Sequence, residues 1–499
     1  MKNLFVGFLL LIVGTVTAQT PARPKLVVGI VVDQMRWDYL YRFSNRYEAG
    51  GFRRLLTQGF SCENTIIPYM PTHTAAGHAC VYTGSVPALN GIVGNAWYSK
   101  ELGRSVYCTE DTTAKTVGSN SDEGEMSPRN LWPTTITDEL RLATNFKSKT
   151  IGIALKDRGS ILPAGHTANG AYWFDNASGS LISSNYYMQA LPDWVVRFNN
   201  KRLPDTYMAK NWNTLYPVDT YTQSTADEKP YENNFPGGGT TTFPHLTEKI
   251  TKDKYEIFRA TPYGNTYTVE AAIAAIEGEN LGRNGVTDFL AVSFSSTDYV
   301  GHAYGPNSVE VEDVYLRLDK DLAALLTYLD SKVGKNQYLL FLTADHAVAH
   351  SSGFAKEARL ITPTAMPGMQ KAVNDAIKKE FGDGKYILAF TNYQVHLNNE
   401  LMVANKIDRA ALKQTIIRTI MKQPEIFSVV DLENVQTASL PETVRKGLVN
   451  GYNQKLSGEL QYLYKPQYGG YEKGASHGYW NPYDSHIPLL WFGWNIKSG

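Results

Sequence analysis

Three stretches of this chain run almost wholly apolar and then end on an acid: "KLVVGIVVDQM" (Lys25 to Met35), "DFLAVSFSSTD" (Asp288 to Asp298) and "QYLLFLTADH" (Gln337 to His346). Unbroken β-branched and aromatic runs, without polar alternation, predict strands covered on both faces, as in a parallel sheet. Between the second and third, Val311, Val314, Leu318, Leu322, Leu325 and Leu329 recur at helical intervals, which predicts a helix over Val309 to Leu329. Helical spacing also runs from about Tyr41 to Leu56 and stops before Gly59, and "HIPLLWFGW" predicts a last strand. Strands alternating with helices imply an α/β/α sandwich with a central, mostly parallel sheet, whose functional residues gather beyond the carboxyl ends of the strands. The rhythm breaks between about 173 and 258, where Tyr, Asn, Pro and Gly crowd around "NNFPGGGTTTFPH". That composition predicts a cap insertion of short elements and long loops in a catalytic body spanning 19–499.

The amino terminus changes the expected compartment. "MKNLFVGFLLLIVGTVTAQT" has Lys2, an apolar run and small residues up to Ala18. A membrane span needs roughly twenty apolar residues, so the segment predicts a cleavable signal peptide over 1–18 and a periplasmic or secreted protein. Lys+Arg and Asp+Glu both number 48, giving zero formal charge, which removes the basic excess a nucleic-acid binder needs. Neither nucleic acid nor membrane is an expected partner, and the chain is expected to act as a monomer. Aromatics at 12% favour carved, aromatic-lined pockets. Cys62, Cys80 and Cys108 leave room for one disulfide and at least one free thiol, and no CxxC pair offers a thiolate zinc site.

Chemistry-bearing residues cluster at the strand ends. Asp33 closes the first run, Asp298 and His302 follow the second in "DYVGHAYG", and Asp345 and His346 follow the third. In a helical turn the DxxxH spacing puts both side chains on one face. His477, in "GASHGYW", precedes the last strand between small residues. Three carboxylates and three imidazoles favour zinc over all-oxygen cations and are enough for two ions, the device that phosphoryl transfer uses with metals about 4 Å apart. His166, His245, His350 and His396 read as core or surface residues, and His486 as a support beside the site. In "PTHTAAGHAC", Thr74 falls at a predicted helix start, where free N–H groups cradle anions. It reads either as an N-cap or as a nucleophile whose alcohol a bound cation acidifies. His78 reads either as its base or, preferably, as a packed support.

Taken in order, "VVDQMRWDYL", "MPTHTAAGH", "DYVGH", "TADH" and "SHGYW" resemble the alkaline phosphatase superfamily, and most nearly its phosphate-irrepressible, PafA-type branch. The resemblance spans nearly the whole mature chain. It implies two zinc ions, one held by Asp298, His302 and His477, the other by Asp33, Asp345, His346 and Thr74, with Thr74 the covalent phosphate acceptor. It also implies that Asn95, in "GNAWY", contacts a phosphoryl oxygen.

"IALKDRGSILPAGH" carries Lys156 and Arg158 after an apolar strand. In an extended segment both cations would point one way and Asp157 the other, gripping one anion; the alternative is a solvated turn. The branch resembled has this pair where other alkaline phosphatases hold magnesium, so no catalytic magnesium is expected. The implied activity is hydrolysis of small phosphate monoesters with broad leaving-group range. The rival is a nucleotide pyrophosphatase/phosphodiesterase with the same metal site. A sulfatase lacks support because no Cys-x-Pro-Ser-Arg-type motif is present, and a non-catalytic metal-binding module would have no use for the threonine.

Overall fold

The computed structural model describes residues 23–237, 239–360, 368–467 and 473–499, so the predicted signal peptide lies outside the described residues. Its frame is a nine-stranded sheet. Five neighbouring strands are parallel, in the order Tyr338–Thr343, Leu26–Val32, Asp288–Phe294, Thr150–Ala154 and Gly170–Asp175. Antiparallel strands flank them, Leu489–Gly493 with Phe60–Ser61 at one edge, Ser180–Ser184 with Thr116–Val117 at the other. The apolar runs are thus the central strands, as their continuity requires.

Alternation within a run assigns the two faces. Leu26, Val28, Ile30 and Val32 enter the largest core with Leu318, Leu322 and Leu325 of the Val309–Leu329 helix. Val27 and Val31 face the opposite side, against Tyr82 of the Thr74–Thr83 helix. Helices therefore cover both faces, and the molecule has the expected α/β/α layering. The 21-residue helix starts where Ser308 accepts a hydrogen bond from the Val311 N–H at 3.2 Å, a side-chain N-cap.

The helix expected from Tyr41 to Leu56 is two pieces, Tyr39–Arg42 and Phe52–Gln58. A tertiary contact explains the break: the Asp319 carboxylate accepts the Glu48 and Phe52 N–H groups, both at 2.7 Å, and so starts the second piece afresh. The closing strand is also divided. His486–Ile487 pairs with Thr65–Ile66, and Leu489–Gly493 joins the main sheet after Pro488, which has no N–H to continue a ladder.

The 173–258 stretch begins inside a strand of the main sheet, and its Trp194, Phe198, Trp212, Phe235 and Phe258 pack into the main core. A separate four-stranded antiparallel sheet lies later in the chain. Its order is Ile387–Thr391, Gln394–Leu397, Leu460–Tyr464 and Ile426–Asp431, and the Met369–Phe381 and Arg409–Ile420 helices close its own core. All three cysteines are free thiols. Burial pushes the Cys80 and Cys108 thiols up to about 12, so neither is a ready thiolate.

Candidate metal centre and nucleophile

The parallel strands deliver their acids to one place. Asp33 follows Leu26–Val32, Asp298 lies in the Ser296–Tyr304 helix after Asp288–Phe294, and Asp345 and His346 follow Tyr338–Thr343. The distant His477 joins them. Asp298, His302 and His477 form one triad and Asp33, Asp345 and His346 another, each with one ligand atom per residue within 4.8 Å of the others. The His346 and His477 rings stack with centroids 3.5 Å apart, so the triads share a wall. The Asp33 triad is buried throughout, whereas the other opens to solvent through His302, whose side chain is 38% exposed.

The imidazoles are oriented from behind. His302, His346 and His477 each place Nδ1 against a backbone carbonyl, of Ala475 at 2.8 Å, Ala347 at 3.0 Å and Thr72 at 2.7 Å. With Nδ1–H donating there, Nε2 carries the lone pair and faces the carboxylates. His346 Nε2 lies 3.5 Å from Asp33 Oδ1, a buried oxygen with no hydrogen-bond partner, and 3.6 Å from Asp345 Oδ2, which His78 Nδ1 approaches to 3.4 Å. His302 Nε2 is 3.2 Å and His477 Nε2 3.8 Å from Asp298 Oδ1. Lone pairs directed at lone pairs in a buried space fit a cation between them.

Electrostatics point the same way. Burial, then the Asp298 and Asp345 carboxylates, push Asp33 well above the usual carboxylate range. Burial works in the same sense on Asp298, but His302, Lys156 and His477 hold it well below. Burial, with His346 and His302, keeps His477 neutral. Among the described residues, the ammonium inside is Lys156, with Nζ 2.7 Å from Asp33 Oδ2 and 2.5 Å from Asp298 Oδ2, bridging the triads. Burial lowers His302, but the Asp298 carboxylate outweighs it and raises the imidazole, so Lys156 and His302 offset only part of the charge of three gathered carboxylates, and divalent cations would complete the balance.

Thr74 is 1% exposed and is the first residue of its helix, with His73 in the N-cap position. Its Oγ1 sits 3.4 Å from His346 Nε2, beside the Asp33 triad. The close approach depends on Gly77, where a Cβ would fall 2.3 Å from the Asp345 carbonyl oxygen. Asn95 Oδ1 accepts the Ala75 N–H at 2.9 Å, which leaves the amide's N–H groups as its donors. His78 has Nδ1 2.9 Å from the Thr74 carbonyl and Nε2 2.9 Å from Ser293 Oγ, so it braces the helix and does not touch the hydroxyl.

The extended Lys156–Arg158 segment is corrected. Lys156 is the N-cap of the Asp157–Ala164 helix and Arg158 lies in its first turn, because the chain turns from strand to helix there. Lys156 enters the triads while Arg158 Nη1 donates to Tyr107 Oη at 2.8 Å. Both still line one cavity of about 210 Å³, with Tyr107, Arg259 and Tyr299. His486 stacks on Trp37 and contacts the Glu63 carbonyl, away from both triads. His166, His245, His350 and His396 also stand apart from them.

Gln34 escaped notice in the sequence. Its Nε2 donates to Asp298 Oδ1 at 2.6 Å and its N–H to Asp345 Oδ1 at 3.2 Å, tying the triads together. Gly301 makes room for it, since a Cβ there would lie 1.9 Å from Gln34 Oε1. Its place beside Asp33 at a strand end was the available signal.

Residues 27–478 match the family described as type I phosphodiesterase / nucleotide pyrophosphatase. The chain is 53% identical to alkaline phosphatase PhoV of Synechococcus elongatus over 97% of this chain and 88% of the relative. It is 49% identical to alkaline phosphatase PafA of Elizabethkingia meningoseptica, over 96% and 88%. A relative from Myroides odoratus, also 49% identical over 96% and 88%, bears the name calcium-transporting ATPase. The crystal structure of wild-type PafA superposes with a TM-score of 0.93 at 48% identity, over 96% of this chain and 92% of that one. The chain therefore belongs to the type I phosphodiesterase / nucleotide pyrophosphatase family of the alkaline phosphatase superfamily.

Proposed function

We propose that this protein is an exported, metal-dependent phosphate monoester hydrolase with Thr74 as nucleophile. The observation that carries the reading is a buried threonine hydroxyl beside two carboxylate–imidazole triads, in one of which the buried Asp33 Oδ1 has no hydrogen-bond partner. The nitrogen and oxygen donor set suits zinc, and the two triads would hold one ion each. Bound there, zinc would lower the pKa of the Thr74 alcohol and stabilise developing negative charge on the leaving oxygen. The chain's own groups do the rest. Thr74 Oγ1 attacks phosphorus in line, the P–O bond to the leaving alcohol breaks on the solvent-open His302 side, and water then cleaves the phosphothreonine. Lys156, Arg158 and the Asn95 amide hold the non-bridging oxygens throughout.

The phosphodiesterase reading draws on the family description. Against it, Lys156 and Arg158 concentrate positive charge where a monoester is dianionic and a diester carries an ester group. The identities to PhoV and PafA support the same choice. Ion pumping gains no support, because no helix among the described residues is long and apolar enough to cross a membrane. A leader over 1–18, small phosphate monoesters as the partners and a monomeric state complete the proposal. Thr74→Ala in the zinc-loaded protein is expected to lower turnover of an aryl phosphate by ~10³-fold or more while zinc content stays unchanged. Near-normal turnover in that variant would remove Thr74 from the mechanism.

A further inference from the structure

Arg158 is gripped on one side only. Its Nη1 donates to Tyr107 Oη at 2.8 Å, while its Nε is buried and has no partner. The Tyr107 hydroxyl gives its own proton elsewhere, to Asp157 Oδ1 at 2.9 Å, so a lone pair is left to receive the guanidinium. Asp157 is fixed in turn, because the Thr109 hydroxyl donates to its other oxygen. Thr109, Asp157, Tyr107 and Arg158 thus form a directional chain of hydrogen bonds, each donor already assigned.

One hairpin carries this chain to the site. Ala96–Ser99 pairs with Arg104–Tyr107, with Ala96 opposite Tyr107, and the Cys108 N–H donates to the Asn95 carbonyl at 3.0 Å. Glu110 Oε2 accepts the Tyr107 N–H at 2.8 Å and fixes the end of the second strand. The hairpin therefore sets Asn95 and the partner of Arg158 in a single rigid register.

We propose that Tyr107 is a specificity-determining positioning residue: by holding Nη1 it turns the Nε and Nη2 edge of Arg158 toward the non-bridging phosphoryl oxygens. The inference rests on the monoesterase reading of the site. That edge presents two parallel N–H groups, the geometry that grips two oxygens of one phosphoryl group. A dianionic monoester offers both oxygens to it, whereas a methyl diester has one replaced by an ester group. Loss of the Tyr107 hydroxyl should thus weaken monoester hydrolysis selectively.

The test compares kcat/KM for an aryl phosphate and its methyl diester in the zinc-loaded wild type, Tyr107→Phe, Arg158→Ala and the double variant. Tyr107→Phe is expected to lower the monoester value about tenfold, the scale of one charge-assisted hydrogen bond, and the diester value by less than about twofold. In the Arg158→Ala background the same change should cost less than about twofold on either substrate. Equal losses on both substrates, or an undiminished loss without Arg158, would overturn the proposal and leave a structural role. If Arg158→Ala leaves the monoester-to-diester ratio at the wild-type value, the monoesterase reading of Arg158 fails first. Thr109→Val gives an independent arm: it should shift the ratio in the same direction while Thr109→Ser restores it, and a Thr109→Val ratio equal to wild type counts against the relay.

Discussion

At the scale of single residues, the site is defined as much by what stands behind it as by what faces inward. Each of His302, His346 and His477 has its Nδ1 against a backbone carbonyl, so the tautomer that leaves Nε2 free is set by main chain. Gln34 does the equivalent for a carboxylate, fixing Asp298 Oδ1 at 2.6 Å. Removing such an orienting contact weakens metal affinity by roughly 10–100-fold. Gln34→Leu is therefore expected to loosen zinc by about tenfold in a chelator competition, without displacing the protein from its fold. Affinity equal to wild type would show that Asp298 needs no such brace. Residues of this kind were the hardest to see in the sequence. Asp33, Asp298 and Asp345 announce themselves by ending apolar runs, but Gln34 and Tyr107 act through partners hundreds or tens of positions away, and apart from Gln34's place beside Asp33 no local pattern encodes those.

At the scale of elements, parallel strands bring the acids together and a strand-to-helix turn separates Lys156 from Arg158. The pair was legible as a pair, yet its geometry was not, because period-two alternation and a helix N-cap look alike over three residues. The Val309–Leu329 helix was fully legible, since its apolar stripe is long and uninterrupted. The Tyr41–Leu56 helix was not, because the Asp319 carboxylate that restarts it comes from another element. The four-stranded sheet over 387–464 is built of short strands such as Gln394–Leu397, too brief to carry a periodic signal. That strand carries His396, 1% exposed, with neither ring nitrogen hydrogen-bonded. Burial, with Lys100, pushes its pKa down to about 4. An unfolded chain takes up that proton below about pH 6.5 and the folded one does not. The contribution is thus complete above pH 6.5 and is lost as pH falls toward 4, by about 2 kcal/mol at pH 5. His396→Leu should show a smaller fall in Tm between pH 7.5 and pH 5 than the wild type. An unchanged fall would place the titration elsewhere.

At the scale of the whole molecule, one end of the main sheet gathers three buried carboxylates in a chain whose formal net charge is zero. Three carboxylates and one ammonium occupy a space closed to water on the Asp33 side and open on the His302 side. This asymmetry matches the chemistry proposed: the attacking alcohol belongs in the closed half, the departing group in the open half. The layering and the strand-end location of the site were both legible in the sequence, because burial of the central strands and the direction of a parallel sheet leave little freedom. The proposed chemistry requires the cations that the two triads are proposed to hold. Metal analysis of the purified, active protein tests it most directly. Two zinc ions per chain are expected, with activity lost on chelation and restored by zinc, whereas full activity in protein stripped of metal would contradict it.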